Sequence, residues 1–181
     1  MTFHAQKRPV AAAGAVTIED LAPEARFSLR GDPADAGILG RTLGVDLPTA
    51  IGTRNEKDGR TALCLGPDEW VVLAGEAERD AILDAFAAIE ADTPHALCDI
   101  GDREVSVRIV GPDAAALLAM GCPRDLSHLA PGRAVRTVFD GVSIVLWREA
   151  EEVYRLDAWR SSAPYVRELL ETGVVELRAG L

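Results

Sequence analysis

The same order of secondary structure is encoded twice along this chain. Each copy begins with a strand in which apolar and polar residues alternate, followed by a turn and an apolar helical segment. Two further strands joined by a short turn complete the copy. This order is typical of paired β-strands crossed by a helix. The matching strands cover residues 26–31, 60–65 and 70–74 in the first copy and residues 104–110, 142–147 and 154–159 in the second. A chain built this way uses most of its residues as scaffold.

The first copy has clear helix and turn signals. Asp32 supplies a cap and Pro33 the first helical position, while Gly44 is a natural stop for that helix. A second helix is predicted over residues 78–90 from its apolar face, and a strand follows over residues 95–100.

The second copy repeats these signals. A helix is predicted over residues 114–120 and a last helix over residues 163–171, which Gly173 would end. A short strand over residues 174–177 is then expected to close the chain. Residues 16–21, ahead of the first copy, predict an edge strand.

The resulting order in each half is β-α-β-β-α-β, the ferredoxin-like arrangement. We therefore predict an α+β protein with duplicated ferredoxin-like halves, antiparallel sheets and helices on their outer faces. Residues 1–15 are expected to form a flexible arm, residues 16–101 the first half and residues 102–181 the second half, with both halves packed as one domain.

Charge and composition restrict the classes of partner. The 181 residues carry a formal net charge of −10 and only two lysines, Lys7 and Lys57. Nucleic-acid binding requires clustered Lys and Arg, so we expect no nucleic-acid partner. No apolar run approaches the ~20 residues that span a bilayer, and the amino-terminal residues lack a signal-peptide core, so we expect no membrane association and a cytoplasmic location. The three widely spaced cysteines fit reduced thiols.

The sequence lacks the usual devices of catalysis. His4, His95 and His128 have no second metal ligand at helical or hairpin spacing. Cys122 has His128 nearby in sequence, but a structural turn explains both residues more simply than a nucleophile and its base. No glycine-rich phosphate loop follows a strand. We therefore predict no catalytic, cofactor-binding or metal-binding residue on this chain.

Four charged residues are candidates for a partner surface or a vestigial ligand surface. Asp99, Asp102 and Arg103 lie at the junction of the two copies, where a salt-bridged turn explains them equally well. Arg160 follows a strand and could hold a partner's carboxylate bidentately.

Four aromatic residues lie on the paired strands and allow two interpretations. Such residues are most often part of the core, although Trp and Tyr are also favoured anchors in protein interfaces. These residues are Trp70, Trp147, Tyr154 and Trp159.

Five short motifs, taken in order, carry a family resemblance. They are residues 65–70 (LGPDEW), 99–103 (DIGDR), 122–126 (CPRDL), 136–137 (RT) and 160–165 (RSSAPY). With them the chain resembles the gamma subunits of heterotetrameric sarcosine oxidases over about residues 21–177. One position departs from that pattern, since Ser162 stands where the family usually has an aromatic residue.

The resemblance implies an activity that belongs to a complex. Such an enzyme oxidatively demethylates sarcosine to glycine, reduces oxygen to hydrogen peroxide and passes the methyl carbon to tetrahydrofolate. FAD, FMN, NAD and the folate site would lie on the alpha and beta subunits and zinc on the delta subunit, so these three subunits are the expected partners. The gamma subunit itself resembles the folate-binding domain of glycine-cleavage aminomethyltransferase.

Three functional hypotheses follow. The leading one is a non-catalytic subunit that supports assembly of the oxidase. The second is an independent folate-binding or aminomethyltransferase-like one-carbon protein, with Asp99, Asp102 or Arg103 as candidate ligand contacts. The third is a stand-alone homodimer with no enzymatic link, and the isolated chain is a possible homo-oligomer.

Overall fold

The computed structural model describes residues 16–180, so the flexible arm predicted at residues 1–15 lies outside the described residues. The described chain contains ten strands and four α-helices. The strands are β1 Thr17–Asp20, β2 Ala25–Gly31, β3 Arg54–Lys57, β4 Arg60–Gly66, β5 Glu69–Ala74, β6 His95–Asp99, β7 Glu104–Val110, β8 Arg133–Phe139, β9 Val142–Ala150 and β10 Val153–Trp159. The helices are α1 Ala36–Leu43, α2 Arg79–Ala87, α3 Ala114–Ala119 and α4 Ala163–Ala179.

The chain divides into two compact units, and neither is continuous in sequence. The first unit comprises residues 23–104 and 132–136. The second unit comprises residues 16–22, 105–131 and 137–180 within the described chain. Each unit contains one five-stranded sheet, except that residues 133–136 of β8, a strand of the second sheet, are grouped with the first unit.

In the first unit the sheet has the order β3-β4-β5-β2-β6. The order β4-β5-β2-β6, with α1 after β2 and α2 after β5, is that of a ferredoxin-like unit, and its paired strands are antiparallel. Strand β3 extends this sheet through a hairpin whose turn residues Asp58 and Gly59 both have positive φ angles, as a two-residue hairpin turn requires.

The core of the first unit lies on one face of its sheet. Phe27 and Leu29 of β2 are fully buried and pack with Leu39 of α1 and Phe86 of α2. Because side chains alternate along a strand, this face takes the apolar residues of β2, whereas Arg26 and Arg30 lie on the other face.

In the second unit the sheet has the order β1-β7-β10-β9-β8. Here too α3 follows β7 and α4 follows β10, so the predicted duplication of an α+β unit is confirmed. The strand beside β7, which completes the ferredoxin-like order, is β1 from the beginning of the described chain. Strand β1 pairs antiparallel with β7, with Ile18 opposite Ile109.

The strand predicted at residues 174–177 is wrong, because α4 continues through these residues to Ala179. Gly173 does not end the helix. It lies inside α4 and lets this helix approach α3 closely. A Cβ atom at Gly173 would lie 2.6 Å from Leu117 Cδ1 and 2.8 Å from Met120 Sδ. Gly180, with a φ angle of 75°, forms the left-handed cap instead.

Among the described residues no helix combines the length and the apolar character that a membrane crossing requires.

Candidate functional site

Asp99, the first of the predicted surface residues, ends β6 and organises the turn after it. Its Oδ1 atom accepts a 2.9 Å hydrogen bond from the Gly101 backbone N–H, and its other oxygen pairs with the Arg79 guanidinium. The next residue, Ile100, donates its backbone N–H to the Arg26 carbonyl at 2.8 Å. Asp99 therefore joins the end of the sheet to the start of α2.

Arg103 lies in the same turn and belongs to a second ion-pair group. Its Nη2 atom donates to Glu104 Oε1 at 2.9 Å, while Arg26 Nη1 donates to Glu104 Oε2 at 2.6 Å. Arg26 is only 3% exposed, so the Glu104 carboxylate compensates a buried charge. Asp102 is exposed in this turn. A ligand or partner role for Asp99, Asp102 and Arg103 stays a prediction.

Arg160 belongs to the other compact unit and is exposed there. It lies in the connection between β10 and α4, where the Ser162 backbone N–H donates to the Trp159 carbonyl at 2.9 Å. Ser162, which departs from the family pattern, is half-buried at the amino-terminal cap position of α4. The role of Arg160 likewise stays a prediction.

The aromatic residues of the paired strands divide between core and surface. Trp70, Trp147 and Tyr154 are buried, whereas Trp159 is 53% exposed. Both buried indoles have a hydrogen-bond acceptor, since Trp70 Nε1 donates to the Pro48 carbonyl at 2.7 Å and Trp147 Nε1 donates to Asp157 Oδ2 at 2.6 Å. Only for Trp159 does exposure favour the interface interpretation.

A buried charged network in the second unit was missed in the sequence. Arg155 Nε donates to Asp157 Oδ1 at 2.8 Å, and the two side chains are 5% and 1% exposed. Ser106 Oγ donates to the same Asp157 oxygen at 2.6 Å, and the Arg155 guanidinium stacks over the Trp147 ring at 5.4 Å. The signal was present, because two charged residues at alternate positions of an otherwise apolar strand lie on one face.

Two of the family motifs meet in the first unit. Arg136 donates bidentately to Glu69, with Nη2 to Oε1 at 2.5 Å and Nη1 to Oε2 at 3.1 Å. This hydrogen bonding is the main reason that the pKa of Glu69 lies below its ordinary value, while partial burial opposes the shift. Beside it Arg30 Nη2 donates to Asp68 Oδ2 at 2.9 Å and lowers the pKa of that carboxyl.

Two further motifs make contacts in the second unit. Asp125 of the CPRDL motif accepts a 2.9 Å hydrogen bond from the Ser127 backbone N–H and so caps a short 3-10 helix. Tyr165 of the last motif donates its hydroxyl to the Asp140 carboxylate, which raises the pKa of the phenol. The motif residues thus have scaffold roles that their spacing did not reveal.

The three cysteines of the chain are free thiols in different environments. Cys64 and Cys122 are buried, Cys98 is exposed, and all three are free thiols. Burial raises the pKa of the Cys64 thiol. Between residues 16 and 180 no group of three or more His, Cys, Asp or Glu side chains is placed to hold a metal ion.

The fold alone places this protein in a structural class that is wider than one family. A duplicated α+β protein of this topology is similar to glycine cleavage system aminomethyltransferase T from Bartonella henselae, with a TM-score of 0.67 and 15% identity over 86% of this chain and 45% of that one. At this identity the likeness concerns the fold alone.

A second solved structure is much more similar. A chain of heterotetrameric sarcosine oxidase from Corynebacterium sp. U-96, solved in complex with pyrrole 2-carboxylate, matches with a TM-score of 0.84 and 29% identity over 94% of this chain and 89% of that one.

Sequence comparison agrees. The sarcosine oxidase gamma subunit family matches residues 29–176. Sarcosine oxidase subunit gamma from Corynebacterium sp. strain U-96 is 32% identical over 81% of this chain and 73% of its own length, and the one from an Arthrobacter species is 30% identical over 77% and 70%. This chain belongs to the sarcosine oxidase gamma subunit family.

Proposed function

We propose that this chain is the non-catalytic gamma subunit of a heterotetrameric sarcosine oxidase. The observation that carries the proposal is the agreement with a chain of that complex over 94% of this protein and 89% of that chain. A match over nearly the whole of both chains supports the proposal that this chain fills the same place in such an assembly. Its partners would be the alpha, beta and delta subunits.

The complex would demethylate sarcosine to glycine, with hydrogen peroxide and methylene-tetrahydrofolate as the other products. FAD, FMN, NAD, tetrahydrofolate and zinc would be held by the partner subunits. The contacts described above support a scaffold role, because Asp99, Glu104, Glu69 and Asp157 each satisfy a neighbouring Arg or backbone group. The free thiols of Cys64, Cys98 and Cys122 are in keeping with a reducing compartment such as the cytoplasm.

Co-expression with the flavin-binding chains of the same organism tests this proposal. We expect an affinity tag on this chain to recover those chains, and we expect sarcosine-dependent peroxide formation only from the recovered complex. Sarcosine turnover by the isolated chain, or failure to recover any flavin-binding chain, would contradict the proposal.

A ligand titration separates the scaffold role from an independent folate-binding role. A site on the isolated chain filled at about 100 times its dissociation constant would stabilise the protein by about 2.7 kcal/mol. We expect no shift of the melting temperature when millimolar tetrahydrofolate is added. A clear shift would instead favour the folate-binding alternative.

A further inference from the structure

Strand β6 forms an open edge of the sheet in the first unit. It pairs with β2 on one side, and within residues 16–180 no strand pairs with its other side. The opposite edge of this sheet, β3, carries charged side chains at three of its four positions, which is a common protection against strand pairing. Strand β6 has no lysine, no proline and no bulge, and its three central residues are uncharged. An unprotected edge of this kind is a template for another strand.

The ladder between β2 and β6 shows which backbone groups point to the open side. In an antiparallel pair, residues that exchange hydrogen bonds with the neighbouring strand alternate with residues whose backbone groups point away from it. The Ile100 N–H donates to the Arg26 carbonyl at 2.8 Å, and the register continues from this pair without a shift. The N–H and C=O groups of His95, Leu97 and Asp99 therefore point to the open edge.

Both ends of β6 are fixed to the helix α2. Asp99 pairs with Arg79 at the start of this helix. The His95 ring packs edge-to-face on the Phe86 ring near the end of the helix, with the ring centroids 5.2 Å apart. Between them Leu97 packs against the apolar core of the unit. Because the edge is already positioned, adding a strand to it requires little further ordering of this chain.

The edge is complementary to a second copy of itself in one antiparallel register. A twofold axis at Leu97 sets the two Leu97 residues opposite each other, and every outward backbone group then meets an outward group. In this register His95 of each copy faces Asp99 of the other, so no like charges are opposed. The Asp99 carboxylate has enough acceptor positions for an imidazole N–H besides Arg79 and the Gly101 N–H. A shift by one residue would oppose outward and inward groups, and a shift by two would set Leu97 against a polar residue.

We propose that two copies of this chain pair through their β6 strands about a twofold axis at Leu97. The pairing joins the five-stranded sheets of the two first units into one antiparallel sheet. Backbone hydrogen bonds supply the attraction, and the facing His95 and Asp99 residues fix the register. The inference goes beyond the proposed function, because the isolated chain can make this contact without any other subunit.

A disulfide cross-link tests the register directly. Ala96 and Cys98 are both exposed, and in the proposed pair Ala96 of one copy faces Cys98 of the other. These positions form a non-hydrogen-bonded pair with Cα atoms about 4.5 Å apart, which a disulfide can span. We expect the oxidised Ala96→Cys variant of the full chain to run as a dimer on a denaturing gel and to return to a monomer in reductant.

Three controls separate this link from random oxidation. The wild-type chain should not cross-link, because the Cys98 residues of the two copies are diagonal neighbours and lie too far apart for a disulfide. Adding Cys98→Ser to Ala96→Cys should abolish the dimer band. Ala116→Cys, at an exposed position of α3 in the other unit, should give no dimer under the same conditions.

A charge variant tests the free dimer without a cross-link. Ala96→Lys combined with Cys98→Lys sets lysines opposite each other twice, and both positions are exposed, so the fold should be kept. We expect the dimer dissociation constant, measured by sedimentation, to rise about tenfold or more. Ala116→Lys combined with Ala119→Lys makes the same charge change on α3 and should leave the constant unchanged. Melting curves establish that each variant is folded.

Several results would overturn the proposal. A wild-type chain that sediments as a monomer at every concentration would do so, and so would cross-linking of Ala116→Cys as strong as that of Ala96→Cys. A lysine pair on β6 that leaves self-association unchanged but prevents recovery of the flavin-binding chains would assign this edge to another subunit instead. Each of these results leaves the proposed function intact, because that function is decided by recovery of the partner chains with the wild-type chain.

Discussion

The buried charged residues of this protein are stabilised by hydrogen-bond and ion-pair partners and not by water. Asp157 shows this most clearly, because it accepts hydrogen bonds from Arg155, Ser106 and Trp147 while being 2% exposed. Each donor would be left without this acceptor if the carboxylate were removed, and burying unpaired polar groups is costly. A buried carboxylate such as that of Asp157 stabilises the fold because it pairs with each of these donors.

The Asp157→Ala variant should therefore be strongly destabilised. We expect a loss of about 3 kcal/mol or more in the free energy of unfolding, as is typical when one partner of a buried ion pair is removed. Urea denaturation followed by circular dichroism measures this change. Asp68→Ala is the control, because Asp68 pairs with Arg30 at the surface and should have little effect. Equal effects of the two substitutions would contradict this explanation.

The pair of Glu69 and Arg136 should contribute stability that depends on pH. Hydrogen bonds from Arg136 hold the pKa of Glu69 below the ordinary value of 4.5, so the charged carboxylate is favoured in the folded state. The contribution is present above that ordinary value and is lost as the pH falls through the lower pKa of the folded state.

Arg136→Gln is accordingly expected to lose stability near neutral pH and to converge with the wild type as Glu69 becomes protonated at acidic pH. The loss should be about 1 kcal/mol or less, because Arg136 is half-exposed and water screens the pair. Urea denaturation at pH 7 and at about pH 3 compares the two proteins. Arg124→Gln, which changes an exposed arginine elsewhere, should show no such pH dependence. A loss that persists at acidic pH would contradict the mechanism.

At the scale of secondary structure, the second unit is completed by a strand that precedes the first unit in sequence. Strand β1 forms the edge beside β7, and Asp20 at its end pairs with Arg167 of α4. The helix α4 then runs to Ala179, where the sequence pattern had predicted a strand. The sheet edge that a carboxy-terminal strand would have covered is therefore covered by β1.

Ile18 tests the contribution of β1. Its side chain is 2% exposed and lies opposite Ile109, so Ile18→Ala should cost about 2–5 kcal/mol in the free energy of unfolding. Ile51→Ala provides the matched control, since Ile51 is exposed and its truncation should cost little. Hydrogen exchange of the β7 amides should become faster in the Ile18 variant. Neutral behaviour of Ile18→Ala would mean that β1 adds no stability to this sheet.

At the scale of the whole molecule, several polar residues of the family motifs have structural roles within a compact unit. Glu69 and Arg136 join two motifs, and Tyr165 with Asp140 fixes the start of α4. The polar motif residues thus act mainly within the scaffold, while the large apolar side chains of Ile51, Trp159 and Val175 stay more than half exposed.

The candidate surface residues show which features of the site the local sequence could predict. The charges of Asp99, Asp102 and Arg103 were found because they cluster in one short turn, and the salt-bridged turn weighed beside the ligand role is present in the structure. Exposure of Trp159 could not be separated from burial of Trp147 by sequence. Both residues end or line apolar strands, and only the packed neighbours decide which ring is covered.

The sequence by itself determined the duplicated α+β architecture, because alternating strands, helix caps and turn residues are local signals that each copy repeats. Tertiary structure alone decided that β1 completes the second sheet, that Gly173 lies inside a helix, and that Arg155 and Asp157 pair in the interior. These outcomes depend on contacts between residues far apart in sequence. Close packing at Gly173 and desolvation of Asp157 arise only when those distant segments meet.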